Sequence, residues 1–305
     1  KYMKPNIKEI EAHFTTRVHA YKDSMRYSKG EKSSVRRALY GIQHFGLSYI
    51  FFHLTKRRVP LFWNTRVLLF FGRKITVPVS DIGSHVLSLY GIIPHKSERR
   101  LTMWMIKNVT HEDVFYDVGG HLGFYTALAE YMGAETHTFD ANIKLCTYLK
   151  KNFDNVTYAL VASTKGEEDF FDATESSDSS ASSRFNISGT QTSVRVPTVL
   201  LDEYVHTHKS PTIMKFDIEG GEYDAILGAL HLLEKDKPRV ILEVWGGAMG
   251  RKYSDTAVKK LQTLGYTAFE INANGSLSPN PVLDPVASID TTEGEGRDNF
   301  VFLPC

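Results

Sequence analysis

The sequence predicts an α/β fold of the Rossmann-like kind: a mostly parallel sheet with helices on both faces, preceded by a helical N-terminal extension. Short apolar runs alternate, from residue 114 to the C-terminus, with segments whose apolar residues recur at helical spacing. A glycine-rich turn follows the first apolar run, and acidic residues end several of the others. Strands that alternate with helices are joined by right-handed crossovers into parallel sheets, so this pattern indicates that class.

Length, composition and charge limit the classes of protein to which the chain can belong. Its 305 residues, 42% of them hydrophobic, suffice for one large α/β domain with an extension. The net charge of +1 argues against a nucleic-acid partner. Residues 1–58 carry 13 Lys and Arg against 4 Asp and Glu, whereas the remainder carries 23 against 31. A basic segment on an acidic body indicates a surface contact or a solvated helical face, and the second interpretation is favoured.

Cysteine usage and one apolar run bear on the location of the protein. Cys146 and Cys305 lie far apart and outside any metal-type spacing, so a reducing, cytoplasmic setting is expected. Residues 38–54 form the most apolar run, but they fall short of the ~20 residues that a spanning helix needs. A helix over 33–54 with basic flanks is expected to pack or to lie at an interface, and peripheral membrane contact through 33–58 stays open.

The chain is predicted to divide into an extension over residues 1–60 and the α/β domain over 61–305. One or two short helices are expected in the polar segment 1–30. In the second part, residues 74–79 are predicted to form a strand. Pro78 places that strand at an edge, because proline cannot donate a ladder hydrogen bond.

The remaining elements are assigned from the period of each segment and from its boundary residues. A helix over 97–107 leads into the first strand of the sheet. The serine-rich stretch 176–183 lies between two strands and is interpreted as a mobile active-site loop. The other predicted strands are 114–118, 135–139, 156–161, 193–196, 212–216, 239–244, 266–271 and 299–303, and the other predicted helices are 124–132, 143–153, 200–206, 222–234 and 257–264.

The glycine-rich turn after the first strand is a candidate cofactor site. The strand 114–118 contains Asp117 and runs into Gly119, Gly120, His121 and Gly123, directly before a helix. Glycine allows backbone N–H groups to approach a ligand closely, and nucleotide cofactors bind at such turns. The alternative is an ordinary strand–turn–helix connection.

The next two strand ends extend this candidate site. Asp140 ends the second strand and suits a ribose diol, because a carboxylate accepts two hydroxyl hydrogen bonds. The alternative for Asp140 is a helix cap, for which Asn142 competes. Ala141 follows Asp140, and Ala162 ends the third strand, where backbone groups and small apolar side chains suit an adenine ring.

Carboxylates gather at the ends of the fourth and fifth strands. The segment 213–222 contains Lys215, Asp217, Glu219 and Glu222, and Glu243 lies near the end of the next strand. A helix dipole explains Glu222 but not Asp217, which directly follows an apolar run. Buried carboxylates are costly unless they are paired or functional. They are interpreted either as ligands of Mg²⁺, through Asp217 and Glu219, or as a general base, and both options stay open.

Three blocks of sequence are informative together, and two of them contain candidate site residues. They are YDVGGHLGFYT at 116–126, VPTVLLDEY at 196–204 and IMKFDIEGGEYDAILGA at 213–229, with ILEV at 241–244 in support. Together they resemble the FkbM family of methyltransferases that depend on S-adenosylmethionine (SAM). The resemblance spans roughly residues 75–303.

The resemblance implies a class I methyltransferase fold with a seven-stranded sheet, SAM as cofactor, and methyl transfer to a hydroxyl of a sugar, glycan or related small molecule. The turn at 119–123 would hold the methionine part of SAM and Asp140 its ribose, while Asp217, Glu219 and Glu243 would face the acceptor. Gly120-His121 departs from the usual Ala-Asn, and Asp140 stands where glutamate is frequent.

Two other functions stay open at this point. A nicotinamide-dependent oxidoreductase has a similar sheet, but the glycine spacing argues against it. A non-catalytic interaction module on the same fold is the other alternative, and the retained acid cluster argues against that. A homo-oligomer is also an open option.

Overall fold

The computed structural model describes most of the chain, in the ranges 5–30, 66–78, 82–172, 192–278, 284–289 and 296–305. The predicted helix 33–54, with the membrane contact through 33–58, and the serine-rich stretch 176–183 lie outside the described residues. None of the helices in the described ranges is long and apolar enough to span a membrane.

The described elements follow one another in strand–helix alternation from residue 114 onward. The helices are α1 (Ile7–Gly30), α2 (Ile82–Tyr90), α3 (Lys96–Asn108), α4 (Phe124–Met132), α5 (Ile143–Leu149), α6 (Leu201–Tyr204), α7 (Glu222–Leu227), α8 (Leu230–Lys235), α9 (Gly247–Tyr253), α10 (Asp255–Thr263) and α11 (Pro285–Ser288). The strands are β1 (Arg66–Leu68), β2 (Lys74–Thr76), β3 (Val114–Val118), β4 (Glu135–Asp140), β5 (Val156–Tyr158), β6 (Leu160–Val161), β7 (Glu167–Asp172), β8 (Thr192–Val199), β9 (Ile213–Phe216), β10 (Arg239–Trp245), β11 (Tyr266–Glu270) and β12 (Arg297–Pro304).

A central sheet of seven strands has the order β11-β12-β10-β9-β3-β4-β5. The strands from β10 to β5 pair in parallel, whereas β12 is antiparallel to both β10 and β11. This confirms the predicted mostly parallel sheet and its final strand pair. The strand order reverses between β3 and β9, and ligands of open α/β sheets bind at such a switch point.

Alternating side chains of the strands pack into two hydrophobic layers, one on each face of the sheet. Phe115 and Ile213 face the layer that contains α3 and α4, while Tyr116 and Met214 face the layer that contains α7, α8 and α10. Successive strand residues point to opposite faces, so each apolar run of β3 and β9 supplies both layers. Helices therefore cover both faces, as predicted.

The N-terminal segment forms one long helix instead of the one or two short helices expected. Ile10 and Phe14 of α1 are buried in the first hydrophobic layer, and the rings of Phe14 and Phe70 have centroids 5.0 Å apart. Lys107 of α3 adds an ion pair with Glu11 at 3.6 Å. The helix is thus packed onto the core of the α/β domain.

Two predicted elements are divided in the structure. The predicted strand 156–161 contributes β5 to the central sheet and β6 to a separate three-stranded sheet of order β6-β8-β7. The predicted helix 222–234 is broken into α7 and α8 at Gly228. A Cβ on Gly228 would lie 2.0 Å from the carbonyl oxygen of Ala162, so close backbone contact fixes the break there. The predicted helix 143–153 also ends early, at Leu149.

Candidate active site

A cavity of about 460 Å³ opens where the parallel strands end, across the switch point. This volume falls within the ~300–1,000 Å³ typical of small-molecule sites. Of the predicted site residues, Gly119, Gly120, His121, Asp140, Ala141, Lys215, Asp217, Glu219 and Glu243 line the cavity. Asp117, Gly123 and Ala162 do not line it.

The glycine turn uses its backbone donors inside the protein. The N–H groups of Gly119 and Gly120 both donate to the carbonyl oxygen of Phe139, at 2.9 and 3.1 Å. The N–H of His121 donates to Asp140 Oδ2 at 2.9 Å. Both glycine donors are therefore engaged within the protein, and the contact of these two glycines with a cofactor stays a prediction.

The glycines of the turn are required by packing. A Cβ on Gly119, whose φ is +90°, would lie 1.9 Å from the carbonyl oxygen of Asp217. A Cβ on Gly120 would lie 2.2 Å from Thr138 Cγ2. Gly123 has a φ of +79° and caps α4, and a Cβ there would lie 2.3 Å from the Phe153 ring. Their absence of side chains lets β3, β4 and β9 converge on the cavity.

Gly119→Ala is expected to lower the free energy of unfolding by about 3 kcal/mol, from the steric conflict with Asp217 together with the left-handed backbone. Gly265→Ala is the matched control, because Gly265 has a similar φ of +82° but open space around its Cβ position. It should cost about 1–2 kcal/mol. Urea denaturation measures both, and equal losses would show that the close approach at Gly119 does not matter.

Asp140 lies at the end of β4 and is 7% exposed. Its Oδ1 accepts from the N–H of Asn142 at 2.8 Å, and its Oδ2 from the N–H of His121. Asn142 is the cap of α5, since its side chain accepts from the N–H groups of Lys144 and Leu145. Each oxygen of Asp140 keeps a second lone pair for a ligand. Burial raises the pKa of Asp140 to about 6, although both backbone hydrogen bonds act in the opposite direction.

An apolar slot adjoins Asp140. Ala141, Leu160 and Phe170 line the cavity and belong to one small buried cluster with Val196. Phe170 comes from β7, in the second sheet, and no sequence pattern had marked it. Ala162 lies behind this wall, where its carbonyl packs against Gly228.

The opposite end of the cavity rests on a row of polar side chains across the sheet. Asp117, Lys215, Glu243 and Asn299 take alternate positions on the face of the sheet that carries Phe115. Asp117 pairs in register with Lys215, and Glu243 with Asn299. All four are at most 4% exposed, so the first hydrophobic layer becomes polar at this edge.

Two cations bind three of the carboxylates that line the cavity, Asp217, Glu219 and Glu243. Lys215 Nζ lies 2.7 Å from Asp217 Oδ2. Arg297 Nη1 lies 3.1 Å from Glu219 Oε1 and 3.2 Å from Glu243 Oε1. Asp217, Glu219 and Glu243 each place a carboxylate oxygen within 4.8 Å of the other two. The structure thus brings together Lys215, Asp217, Glu219 and Glu243, the four residues of the fourth and fifth strand ends that are predicted to be catalytic.

The electrostatics of this cluster differ from one acid to the next. Burial alone would raise the pKa of Asp217, but the neighbouring Lys215 ammonium outweighs it and the pKa is lowered. Burial raises the pKa of Glu219. Burial and the charge of Asp217 raise the pKa of Glu243 well above its usual value, against the effect of Arg297. The net charge of the three carboxylates with Lys215 and Arg297 is zero when Glu219 and Glu243 share one proton.

Glu222 holds the loop that presents Glu219. Its Oε1 accepts from the N–H groups of Ile218 and Gly220, both at 3.1 Å. Between them Glu219 has a φ of 55°, a conformation that non-glycine residues rarely adopt. Such strain persists only where the surrounding structure enforces it, and it is often found at functional sites.

At the acid end of the cavity, sequence reasoning also missed Glu98, Tyr125 and Arg297. Glu98 of α3 accepts from Tyr125 Oη at 2.6 Å and from Asn299 Nδ2 at 2.8 Å. Tyr125 also places its ring 5.2 Å from Lys215 Nζ. Arg297 begins β12, opposite Trp245 at the end of β10. The sequence does contain a signal for Arg297. An antiparallel final strand starts at the edge of the sheet where its parallel neighbours end, so its first residue lies beside the site.

The class of the protein follows from the comparison with families. Residues 117–267 match the family model described as the methyltransferase FkbM domain. This part of the chain is therefore a methyltransferase FkbM domain, as the resemblance predicted, and it contains the glycine turn, Asp140 and the acids Asp217, Glu219 and Glu243. This favours a methyltransferase over the nicotinamide-dependent alternative.

Two solved methyltransferases are similar to the chain in structure. The first is the methyltransferase FkbM from Methylobacillus flagellatus KT, at 13% identity and a TM-score of 0.40, covering 97% of this chain and 59% of that one. The second is the precorrin-6y C5,15-methyltransferase from Geobacter metallireducens GS-15, at 12% identity and a TM-score of 0.37, covering 70% of this chain and 89% of that one. The chain thus spans 59% of the length of the first. No curated protein matches the sequence.

Proposed function

We propose that the protein is a SAM-dependent O-methyltransferase whose acceptor is a hydroxyl of a sugar, glycan or related small molecule. The observation that carries the proposal is the division of one cavity into two chemically different ends. Asp140 and the apolar slot lie at the β4 and β6 side, while Asp217, Glu219 and Glu243 lie at the β9 and β10 side. A two-substrate reaction needs such a division.

The residues at the β4 side fit the nucleoside part of SAM. The Asp140 carboxylate has lone pairs for the two ribose hydroxyls. The slot of Ala141, Leu160 and Phe170 offers the apolar surface that an adenine ring requires.

At the β9 and β10 side, the charge of the cavity suits a cationic cofactor and a neutral methyl acceptor. SAM, when bound, supplies a methyl group on a positively charged sulfur. Carboxylates outnumber cations at this end, since Glu98 joins the acid cluster against Lys215 and Arg297. Acceptors that carry several hydroxyls are compatible with this lining, because each carboxylate oxygen accepts a hydroxyl hydrogen bond.

The residues of the acid cluster have distinct roles in this reaction. Lys215 keeps Asp217 ionised. The Asp217 carboxylate therefore always accepts a hydrogen bond from the hydroxyl that is to be methylated, and so orients that hydroxyl. The Glu219–Glu243 pair has a raised affinity for a proton and takes the hydroxyl proton as general base. Alignment of the hydroxyl with the methyl group supplies the rest of the acceleration.

A screen of acceptors tests the proposal. Purified protein is incubated with SAM and a panel of methyl glycosides, amino sugars and small polyols, and S-adenosylhomocysteine formation is measured by mass spectrometry. Turnover that depends on a hydroxylated acceptor supports the proposal. SAM binding without turnover on any acceptor would favour the non-catalytic module, and binding of reduced nicotinamide cofactor in place of SAM would favour the oxidoreductase.

SAM binding is expected to weaken as the pH falls below about 6. That is the pKa of buried Asp140, and its protonated form must donate a hydrogen bond where the carboxylate only accepts. Only about a tenth of Asp140 is ionised one pH unit below its pKa, so the affinity at pH 5 should be about tenfold lower than at pH 8. Asp140→Asn, which cannot titrate, should give a flat calorimetric profile between these values. Parallel profiles for both proteins would contradict the role of Asp140.

A further inference from the structure

Arg297 holds a central position in the acid cluster. We propose that it is the built-in cation of the acceptor site: its guanidinium takes the place between Glu219 and Glu243 that a divalent metal ion would need, and its remaining N–H groups bind the acceptor oxygen. The second half of this inference rests on the proposed function, whereas the first half does not.

The geometry leaves no room for a metal ion beside Arg297. Mg²⁺ binds carboxylate oxygens at about 2.0–2.1 Å, and so must lie between them. One nitrogen, Nη1, already lies there, 3.1 Å from Glu219 Oε1 and 3.2 Å from Glu243 Oε1. A metal ion bound by Asp217, Glu219 and Glu243 together would therefore have to displace the guanidinium.

The charge balance also favours the guanidinium over a dication. Asp217 is paired with Lys215, whose side chain is 2% exposed and cannot leave the cluster without crossing the core. A dication added beside Lys215 and Arg297 would meet two positive charges in surroundings of low dielectric constant, where such repulsion is strong. Three carboxylates already have two cationic partners.

Arg297 keeps donors for a ligand. Both of its ion pairs use Nη1, and within the part of the chain that the structure describes, Nη2 and Nε have no hydrogen-bond partner. The side chain is 35% exposed and lines the cavity. Its guanidinium lies 5.9 Å from the Trp245 ring centroid, a contact that orients the guanidinium plane. The free donors therefore suit an acceptor oxygen next to the carboxylates.

Metal binding measured on variants tests the first half. Tb³⁺ serves as the probe, since it binds carboxylate sites and its luminescence reports occupancy. Wild type should show no Glu243-dependent Tb³⁺ site, whereas Arg297→Ala should gain Tb³⁺ affinity by at least about tenfold, because a triad of acids becomes available and affinity rises with the number of charged ligands. The additional change Glu243→Gln should remove that gain.

Arg251→Ala is the matched control. Arg251 also bridges two carboxylates, at 3.1 Å from Asp255 and 2.9 Å from Asp284, but on the surface and outside the cavity. This variant should show no comparable gain. A wild-type Tb³⁺ site that Glu243→Gln abolishes, or an Arg297→Ala variant that folds without any gain, would overturn the inference. If Arg297→Ala does not fold, two other measurements decide the question. One is the Tb³⁺ affinity of Arg297→Gln, and the other is the comparison of Tb³⁺ binding by wild type with Tb³⁺ binding by Glu243→Gln.

Kinetics test the second half once an acceptor is known. EDTA should leave the wild-type rate unchanged, and Arg297→Ala should raise the acceptor KM by about tenfold or more, the usual effect of losing a charged hydrogen bond. Arg297→Lys, which keeps the charge but not the planar donors, should recover only part of the affinity for the acceptor that Arg297→Ala loses. A rate abolished by EDTA would overturn the inference. Failure of wild type to bind SAM would instead refute the proposed function and leave the Tb³⁺ result standing.

Discussion

Asp140→Ala is expected to weaken SAM binding by about a hundredfold or more. The proposed site has two charge-assisted hydrogen bonds from the ribose hydroxyls to Asp140, each worth about 1.5–3 kcal/mol, and the substitution would remove both. It also leaves the N–H groups of His121 and Asn142 without their acceptor. Isothermal titration calorimetry of SAM measures the loss.

Asn142→Ala is the control for this prediction. Asn142 is a buried neighbour that caps α5, so its loss should cost about 1 kcal/mol of stability. SAM affinity should stay within about threefold of wild type, because the carboxylate of Asp140 remains. A SAM affinity of Asp140→Ala equal to that of Asn142→Ala would show that Asp140 does not contact the cofactor.

Asp217→Asn is expected to lower the rate of methyl transfer at least about a hundredfold, because a hydroxyl without its orienting carboxylate loses its alignment with the methyl group. The change keeps the shape of the side chain but removes the charge that Lys215 neutralises at 2.7 Å. The hydroxyl then loses its ionic acceptor, and Lys215 is left buried without its partner. SAM binding should change by less than about threefold, because Asp217 lies at the acceptor end.

Asp224→Asn is the matched control for Asp217→Asn. Asp224 lies on α7, outside the cavity, and accepts from Ser163 Oγ and N. Its loss should affect stability but neither SAM affinity nor the rate per folded molecule. Equal losses of transfer and SAM binding in Asp217→Asn would contradict the separation of the two ends.

The central sheet could be predicted from the sequence because its strands are buried on both faces. Val114–Val118 and Ile213–Phe216 are continuous apolar runs apart from Asp117 and Lys215, and they are bounded by turns. The same two exceptions marked the site, since a charge inside such a run requires a partner. The ends of parallel strands must meet at one edge, so Asp140, Asp217 and Glu243 could be assigned to one cavity.

The remaining features depend on contacts between distant segments. The break at Gly228 follows from its contact with Ala162, and the docking of Phe14 on Phe70 follows from the path of α1; local periodicity encodes neither. Glu98 and Arg297 come from elements far apart in sequence and meet only in the fold. The glycine turn was located correctly, but the strand packing that requires Gly119 is visible only in the fold.

The most direct test of a cavity with two separate ends is one calorimetric series, in which SAM is titrated into wild type, Asp217→Asn and Asp140→Ala in the same buffer at pH 8. Wild type and Asp217→Asn should bind one SAM per chain with similar affinity, and Asp140→Ala should bind at least about a hundredfold more weakly. Absence of SAM binding to wild type, or a loss as large in Asp217→Asn as in Asp140→Ala, would contradict the assignment of the two ends.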